Sequence, residues 1–370
     1  MTTRIGLLTG GGDCPGLNAV IWSVVRAASE AGIEVIGIRD GFEGLVTGGD
    51  VVPLNIENVR GIFARGGTML GTTNRGNPFR YAASDGSERD RSADVVATFG
   101  KLGLDGAIAI GGDGTLAIAH ELHAKGAPMI GVPKTIDNDL GATDTTFGFD
   151  TAVATACEAL DRLKTTAESH DRIMLLEVMG RYAGWIALHS GIAGGAHCIV
   201  IPEIPYDLNA LLAKMAHRRS VEGRNYTLVM VAEGAMPAGG ETSHLDGQAP
   251  GHNKRLGGAA QRLEDALNER LRTSPPPPFD ALERPPEIRT TVLGHVQRGG
   301  TPTAYDRVVS MRFGVRALEL AAEGRWGRMV CLRGTQIEDV AIAKAVAKPH
   351  TVDPDGQLVR QARAVGICMG

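Results

Sequence analysis

Short apolar runs that end in glycine-rich turns and reopen as helices constrain this chain more than any other feature. Residues 4–9 are followed by Gly10-Gly11-Gly12-Asp13-Cys14-Pro15-Gly16, then by apolar residues at helical spacing through residue 31. Residues 105–110 are followed by Gly111-Gly112-Asp113-Gly114-Thr115 and a helical stretch to about residue 125. Strand patterns also occupy 33–38 and 129–132. Near-continuous apolar strands are buried on both faces, which is the habit of parallel sheets covered by helices. The second half repeats the theme, with helices expected at 151–166 and 207–222 and strands at 172–178 and 227–232. The fold class is therefore α/β, with doubly wound parallel sheets. Residues 237–286, which include Pro275-Pro276-Pro277-Pro278, break the pattern and read as an exposed excursion around a helix at 258–271.

The glycine content belongs to the same argument. Fifty glycines in 370 residues are about twice the usual share, and they concentrate after the apolar runs. With 43% hydrophobic residues and a formal charge of −4, the chain is not disordered. No apolar run approaches the roughly 18–20 residues of a membrane span, and the first is too short for a secretory core. Five scattered cysteines without a CxxC pair indicate reduced thiols and a cytoplasmic protein. The balanced charge gives no general pull toward nucleic acid or membrane, so an anionic ligand needs a local cluster.

Two such clusters follow strands, where parallel sheets bind ligands and where helix N-termini favour phosphate. Neither glycine-rich turn is a P-loop, since no GK[ST] follows, and Pro15 interrupts a dinucleotide fingerprint. Asp113 beside a phosphate cradle suits Mg2+, a hard ion held by few carboxylates plus phosphate oxygens. A third segment, Gly131-Val132-Pro133-Lys134-Thr135-Ile136-Asp137-Asn138-Asp139, carries two carboxylates two residues apart. They fit a proton acceptor with a hydroxyl or ion contact, or an Asp-rich turn bonded to its own backbone. Arg172, Arg181, Arg289, His295 and Arg298 supply positive charge on separate segments, each open to a phosphate-binding or a solvated role.

Taken together, these blocks closely resemble the 6-phosphofructokinase family. Gly11-Gly12-Asp13, Gly111–Thr115, Pro133–Asp139, Met179-Gly180-Arg181, Pro202-Glu203, Ala232-Glu233-Gly234 and Gly294–Gly300 occur in family order across roughly residues 4–315. The resemblance implies phosphoryl transfer to the 1-hydroxyl of fructose 6-phosphate with Mg2+. It implies two domains with the active site in the cleft between them: 1–148 plus about 299–345 for the donor, and 149–298 plus about 346–370 for the sugar phosphate. Asp137 would be the base and Lys134 and Arg181 its catalytic companions. Gly12, Arg75, Gly112, Asp113, Gly114 and Thr115 would hold the donor, with Asp113 toward the metal. Thr135, Asp137, Asp139, Met179, Gly180, Arg181 and Glu233 would meet the sugar, and Arg172, Arg289, His295 and Arg298 its phosphate. Arg172 and Arg289 match residues that a neighbouring subunit supplies in bacterial relatives, so a homodimer or homotetramer with shared sites is expected.

Two positions bear on the donor. Gly114 lacks the Asp that crowds a nucleotide in pyrophosphate-using relatives, whereas Lys134 is the pyrophosphate-type residue where strict ATP enzymes carry glycine. Because an Asp at 114 would exclude ATP and a lysine at 134 can serve either donor, ATP is expected, within a mixed-substrate subgroup. Three departures mark the chain. Ile118 stands near the adenine position, Asn74-Arg75 occupies the place of an arginine near the transferred phosphate, and Trp22 replaces an effector-site arginine although Arg26 remains.

Overall fold

A computed structural model describes residues 3–82, 86–244 and 256–370. In chain order its strands are β1 (Arg4–Thr9), β2 (Glu34–Ile38), β3 (Val51–Leu54), β4 (Tyr81–Ala82), β5 (Glu88–Arg89), β6 (Gly106–Gly111), β7 (Met129–Pro133), β8 (Ile173–Val178), β9 (Cys198–Val200), β10 (Thr227–Ala232), β11 (Ile288–Val292), β12 (Arg328–Arg333) and β13 (Gln336–Ala341). The chain divides into two compact units, Met1–Thr151 with Arg298–Pro349, and Ala152–Gln297 with His350–Gly370.

The first unit is built on a seven-stranded sheet of order β13-β12-β7-β6-β1-β2-β3. Its five central strands are parallel, and β3 and β13 close the two edges antiparallel. Alternate strand residues serve opposite faces. Leu8, Ala107, Ala109, Met129 and Cys331 join a core with the helices Phe42–Val46, Ser92–Leu102, Asp113–Ala124 and Ile342–Val346. The helices Leu17–Ala31 and Ala304–Ala322 pack on each other and cover strands of the same sheet. Some of the glycine excess lies inside strands, beyond the loop role expected of it. A Cβ on Gly106 would come within 2.4 Å of the Trp326 ring, and one on Gly131 within 2.7 Å of Leu116. In these places a large neighbour fills the volume that glycine leaves empty.

The second unit carries a four-stranded parallel sheet of order β11-β8-β10-β9. The helix expected at 258–271 spans Ala259–Thr273, but it is not part of an exposed excursion. Ala260, Leu263, Leu267 and Leu271 form a buried stripe at helical spacing, and the helix packs on β8, β10 and β11. The buried Glu177 of β8 accepts hydrogen bonds from the backbone N–H groups of Gly258 (3.1 Å) and Ala260 (2.8 Å), setting a carboxylate where the helix dipole favours one. Residues 245–255, within the span read as an excursion, lie outside the described residues. All five cysteines are free thiols. Among the described residues, no helix is long and apolar enough to cross a membrane.

Candidate active site

In the first unit, the two glycine-rich turns meet over one side chain. Thr115, 7% exposed, lies where a Cβ on Gly10 would come within 2.7 Å of its Oγ1 and a Cβ on Gly111 within 2.3 Å of its own Cβ. Thr115 thus packs the turns after β1 and β6 against each other. Gly11 sits at φ 78° with its N–H donating to the Thr73 carbonyl at 3.1 Å, and its own carbonyl accepts from Thr72 Oγ1 at 2.6 Å. A third loop is therefore tied to the first turn. Within it, Asn74 and Arg75 are both exposed, and the Asn74 side-chain oxygen lies 3.9 Å from an ideal Cβ on Gly11.

Lys134, which follows β7, is 4% exposed. Its N–H donates to the Gly111 carbonyl at 3.0 Å, and its ammonium donates to the Gly12 carbonyl. One residue is therefore tied to both turns, by its backbone to the second and by its positive charge to the first. Arg298 Nη1 donates to the Asp13 carbonyl at 3.3 Å, and a Cβ on Gly12 would lie 2.6 Å from that same nitrogen. Gly12 is the close approach that admits the guanidinium. Asp113 is exposed at the first turn of the helix Asp113–Ala124, where the helix dipole favours anions. A Cβ on Gly114 would meet nothing within 4 Å. Among the described residues, no group of three or more His, Cys, Asp or Glu is arranged to hold a metal.

The segment after Lys134 is buried and tightly turned. Thr135 Oγ1 accepts from the Asp137 N–H at 3.0 Å, and Thr146 Oγ1 donates to the Thr135 carbonyl at 2.7 Å. Asn138 has φ 52°, a left-handed conformation that Asn tolerates, and its side-chain oxygen accepts from the Thr146 N–H at 3.0 Å. Asn138 and Thr146 were not identified from sequence as site residues; an Asn between two Asp residues was the available signal. Asp137 is 3% exposed and Asp139 half-buried.

In the second unit, Met179, Gly180 and Arg181 follow β8, and Glu233 follows β10. Glu233 Oε1 accepts from the N–H groups of Arg181 (2.9 Å) and Gly180 (3.3 Å). Arg181 itself has φ 52°, a conformation held by its surroundings. Arg172, beside β8, and Arg289, in β11, are brought together by Glu287, whose two carboxylate oxygens each accept from one guanidinium. The hydrogen bond from Arg172 holds Glu287 below the usual carboxylate range. His295 lies exposed in the 3-10 turn Gly294–Arg298. Glu287 was not singled out in the sequence, since an acidic residue near two arginines shows no spacing pattern.

Two anion-favouring turns joined by a buried lysine in the first unit, and a pair of arginines on one carboxylate in the second, are each suited to phosphorylated ligands. The phosphofructokinase family profile matches residues 4–321. The chain belongs to the phosphofructokinase family. The ATP-dependent 6-phosphofructokinase of Chloroflexus aggregans is 49% identical over 367 residues, spanning 99% of this chain and 98% of its own. The pyrophosphate–fructose 6-phosphate 1-phosphotransferase of Amycolatopsis methanolica is 50% identical over 355 residues, spanning 95% and 97%. The phosphofructokinase structure from Pichia pastoris superposes with a TM-score of 0.79 at 30% identity over 94% of this chain, which spans 36% of that longer one. Overall identity to these two bacterial phosphofructokinase relatives therefore does not separate the donors, and the question returns to individual residues.

Proposed function

We propose that this chain transfers the γ-phosphoryl group of ATP to the 1-hydroxyl of fructose 6-phosphate, yielding fructose 1,6-bisphosphate and ADP. The observation that carries the reading is the cradle in the first unit: two glycine-rich turns locked on Thr115, with the Lys134 ammonium on Gly12 and open space at Gly114. Such a cradle offers backbone N–H groups and a fixed cation to donor phosphates, and phosphoryl transfer depends chiefly on that positioning and charge stabilisation. The first unit is then the donor domain and the second the sugar-phosphate domain.

Asp137 takes the proton of the attacking 1-hydroxyl. A carboxylate is a weak base, but a late proton transfer in a loose transition state suffices. Thr135 and Asp139 orient the sugar beside it, and Met179, Gly180, Arg181 and Glu233 complete the sugar contacts. Lys134 and Arg181 offset charge on the transferring group, while Gly12, Arg75, Gly112, Asp113, Gly114 and Thr115 line the donor position. Arg172, Arg289, His295 and Arg298 bind the sugar's phosphate, with Arg172 and Arg289 reaching a neighbouring copy in a homodimer or homotetramer. The donor set fits Mg2+. Asp113 is an exposed carboxylate at a helix N-terminus, and Gly114 leaves the room beside it that donor phosphates need. When bound, the ion neutralises phosphate charge.

Lys134 and the Amycolatopsis methanolica relative favour pyrophosphate as the second reading. An assay of fructose 1,6-bisphosphate formation with each donor decides. Turnover with ATP is expected, and turnover with pyrophosphate but none with ATP would overturn the assignment.

A further inference from the structure

The turn Met179–Gly184 has one carboxylate at its beginning and a second at its end. Glu233 holds the N–H groups of Gly180 and Arg181. At the other end, Glu203 Oε1 accepts from the Gly184 N–H at 3.0 Å, and Oε2 lies 3.1 Å from the same nitrogen. The same Oε1 also accepts from the Val352 N–H at 2.8 Å. Between the two clamps, the Ala183 N–H closes on the Gly180 carbonyl at 2.9 Å, so the segment is a short closed turn.

Space around Gly184 is built for this contact. A Cβ there would lie 2.4 Å from Ile201 Cβ and 2.8 Å from Glu203 Oε2. At the other end, a Cβ on Gly234 would lie 2.2 Å from the Arg181 carbonyl oxygen. Only glycine allows either approach. The Val352 bond extends the clamp to the segment that begins at His350, which Trp185 also grips: its Nε1 donates to the His350 carbonyl at 2.9 Å, and the two rings lie 4.7 Å apart. The left-handed Arg181 thus lies between two fixed points, each a carboxylate following a strand of the sheet.

We propose that Glu203 is a positioning residue for fructose 6-phosphate: its carboxylate fixes Gly184 and thereby sets the place of Met179, Gly180 and Arg181. The inference rests on the reading that these three residues contact the sugar phosphate. Burial pushes the Glu203 carboxyl up from its ordinary value despite the hydrogen bonds it accepts from Gly184 and Val352. The site therefore asks for an acceptor oxygen more than for a negative charge. Since Oε1 alone reaches both N–H groups, the carboxamide oxygen of Gln can replace it. Asp keeps the charge but falls short by one methylene, and Ala removes the acceptor.

The test uses the full chain and compares E203A, E203D, E203Q and R181A by steady-state kinetics in both substrates. Misplacing a binding group by about 1 Å can cost up to about 100-fold, so E203A and E203D are expected to raise the KM for fructose 6-phosphate about tenfold or more. Their KM for the donor should stay unchanged, and E203Q should remain within about twofold of the parent in both constants. If E203A does not fold, the contrast between E203D and E203Q reads the same quantity. An unchanged sugar-phosphate KM in E203D, alongside a raised one in R181A, overturns the inference while leaving the sugar-contact reading intact. An unchanged KM in R181A overturns both. Parallel changes in the two KM values and in thermal stability would reduce Glu203 to a structural brace and also overturn the proposal.

Discussion

Gly114 is informative for the side chain it lacks, and the lack has no packing cause. A Cβ there meets nothing within 4 Å, unlike Gly12, whose Cβ would strike Arg298, and Gly111, whose Cβ would strike Thr115. The fold therefore has room for G114D, and on the proposed reading its effect should fall on the donor. On that reading, a carboxylate beside nucleotide phosphates is a like-charge contact, so the KM for ATP should rise about 100-fold. Kinetics with both donors check this, and an unchanged KM for ATP would detach Gly114 from donor choice. The sequence marked all three glycines as loop residues beside a phosphate site, and the resemblance gave Thr115 a donor-binding role. It could not say which glycine is filled by a neighbour and which faces open space, because an absent side chain leaves no pattern. For the same reason, the packing of Thr115 between the turns emerges only from the coordinates.

Between elements, one buried carboxylate fastens two long helices. Asp306, in the first turn of Ala304–Ala322, accepts from both the N–H (2.8 Å) and the Oγ1 (2.5 Å) of Thr151, near the start of the helix Phe149–His170. Thr303 closes the joint by donating from its Oγ1 to Asp150 at 2.6 Å. Burial raises the Asp306 carboxyl from 3.8 to about 6, with Asp150 adding to the rise. Cys14 and Tyr305 also feel its charge. A folded-state pKa above the unfolded one means that the folded protein binds the proton more tightly. The stabilising contribution is therefore full below about pH 4 and lost as pH rises through about 6, a change of roughly 3 kcal/mol. The urea midpoint of the parent should fall relative to D306N between pH 5 and pH 7.5, and parallel curves would exclude Asp306 as the titrating group. At this scale much was legible. The strands β1, β2, β6, β7, β8 and β10 announce themselves by short apolar runs, and the helices Leu17–Ala31, Asp113–Ala124, Phe149–His170 and Leu208–Ser220 by apolar residues at helical spacing. The helices Phe42–Val46 after β2 and Trp185–Ala193 after β8 were not read from the sequence. Nor were the three-residue β9 and the antiparallel pair β12–β13, since the first is too short for periodicity and β13 lies half-exposed at an edge. The helix Ala259–Thr273 was seen, yet its burial against the second sheet was hidden by the proline-rich stretch that follows it.

For the whole molecule, the open question is how many copies build one site. Arg172, just before β8, and Arg289, in the parallel neighbour β11, belong to the second unit, where the Glu287 carboxylate draws them together. On the proposed reading, this arginine pair serves the sugar phosphate of a neighbouring copy. Two defective variants can test that without any knowledge of the assembly's shape. D137N removes the base and should cost about 100- to 10,000-fold in turnover. R172A removes one charge-assisted contact to phosphate and should fail mainly at fructose 6-phosphate concentrations well below its KM. If each site takes Asp137 from one copy and Arg172 from another, dissociating and reassociating the two variants in equal amounts creates sites with both residues intact. In a closed symmetric assembly, random pairing makes about one site in four of this kind. The reassociated mixture should therefore recover about a quarter of parental activity under those conditions, while neither variant alone recovers any. If the residues serve one site within a single chain, every site keeps one defect whatever its neighbours carry. Activity equal to the average of the two separate variants would then show that the arginine pair acts within its own copy.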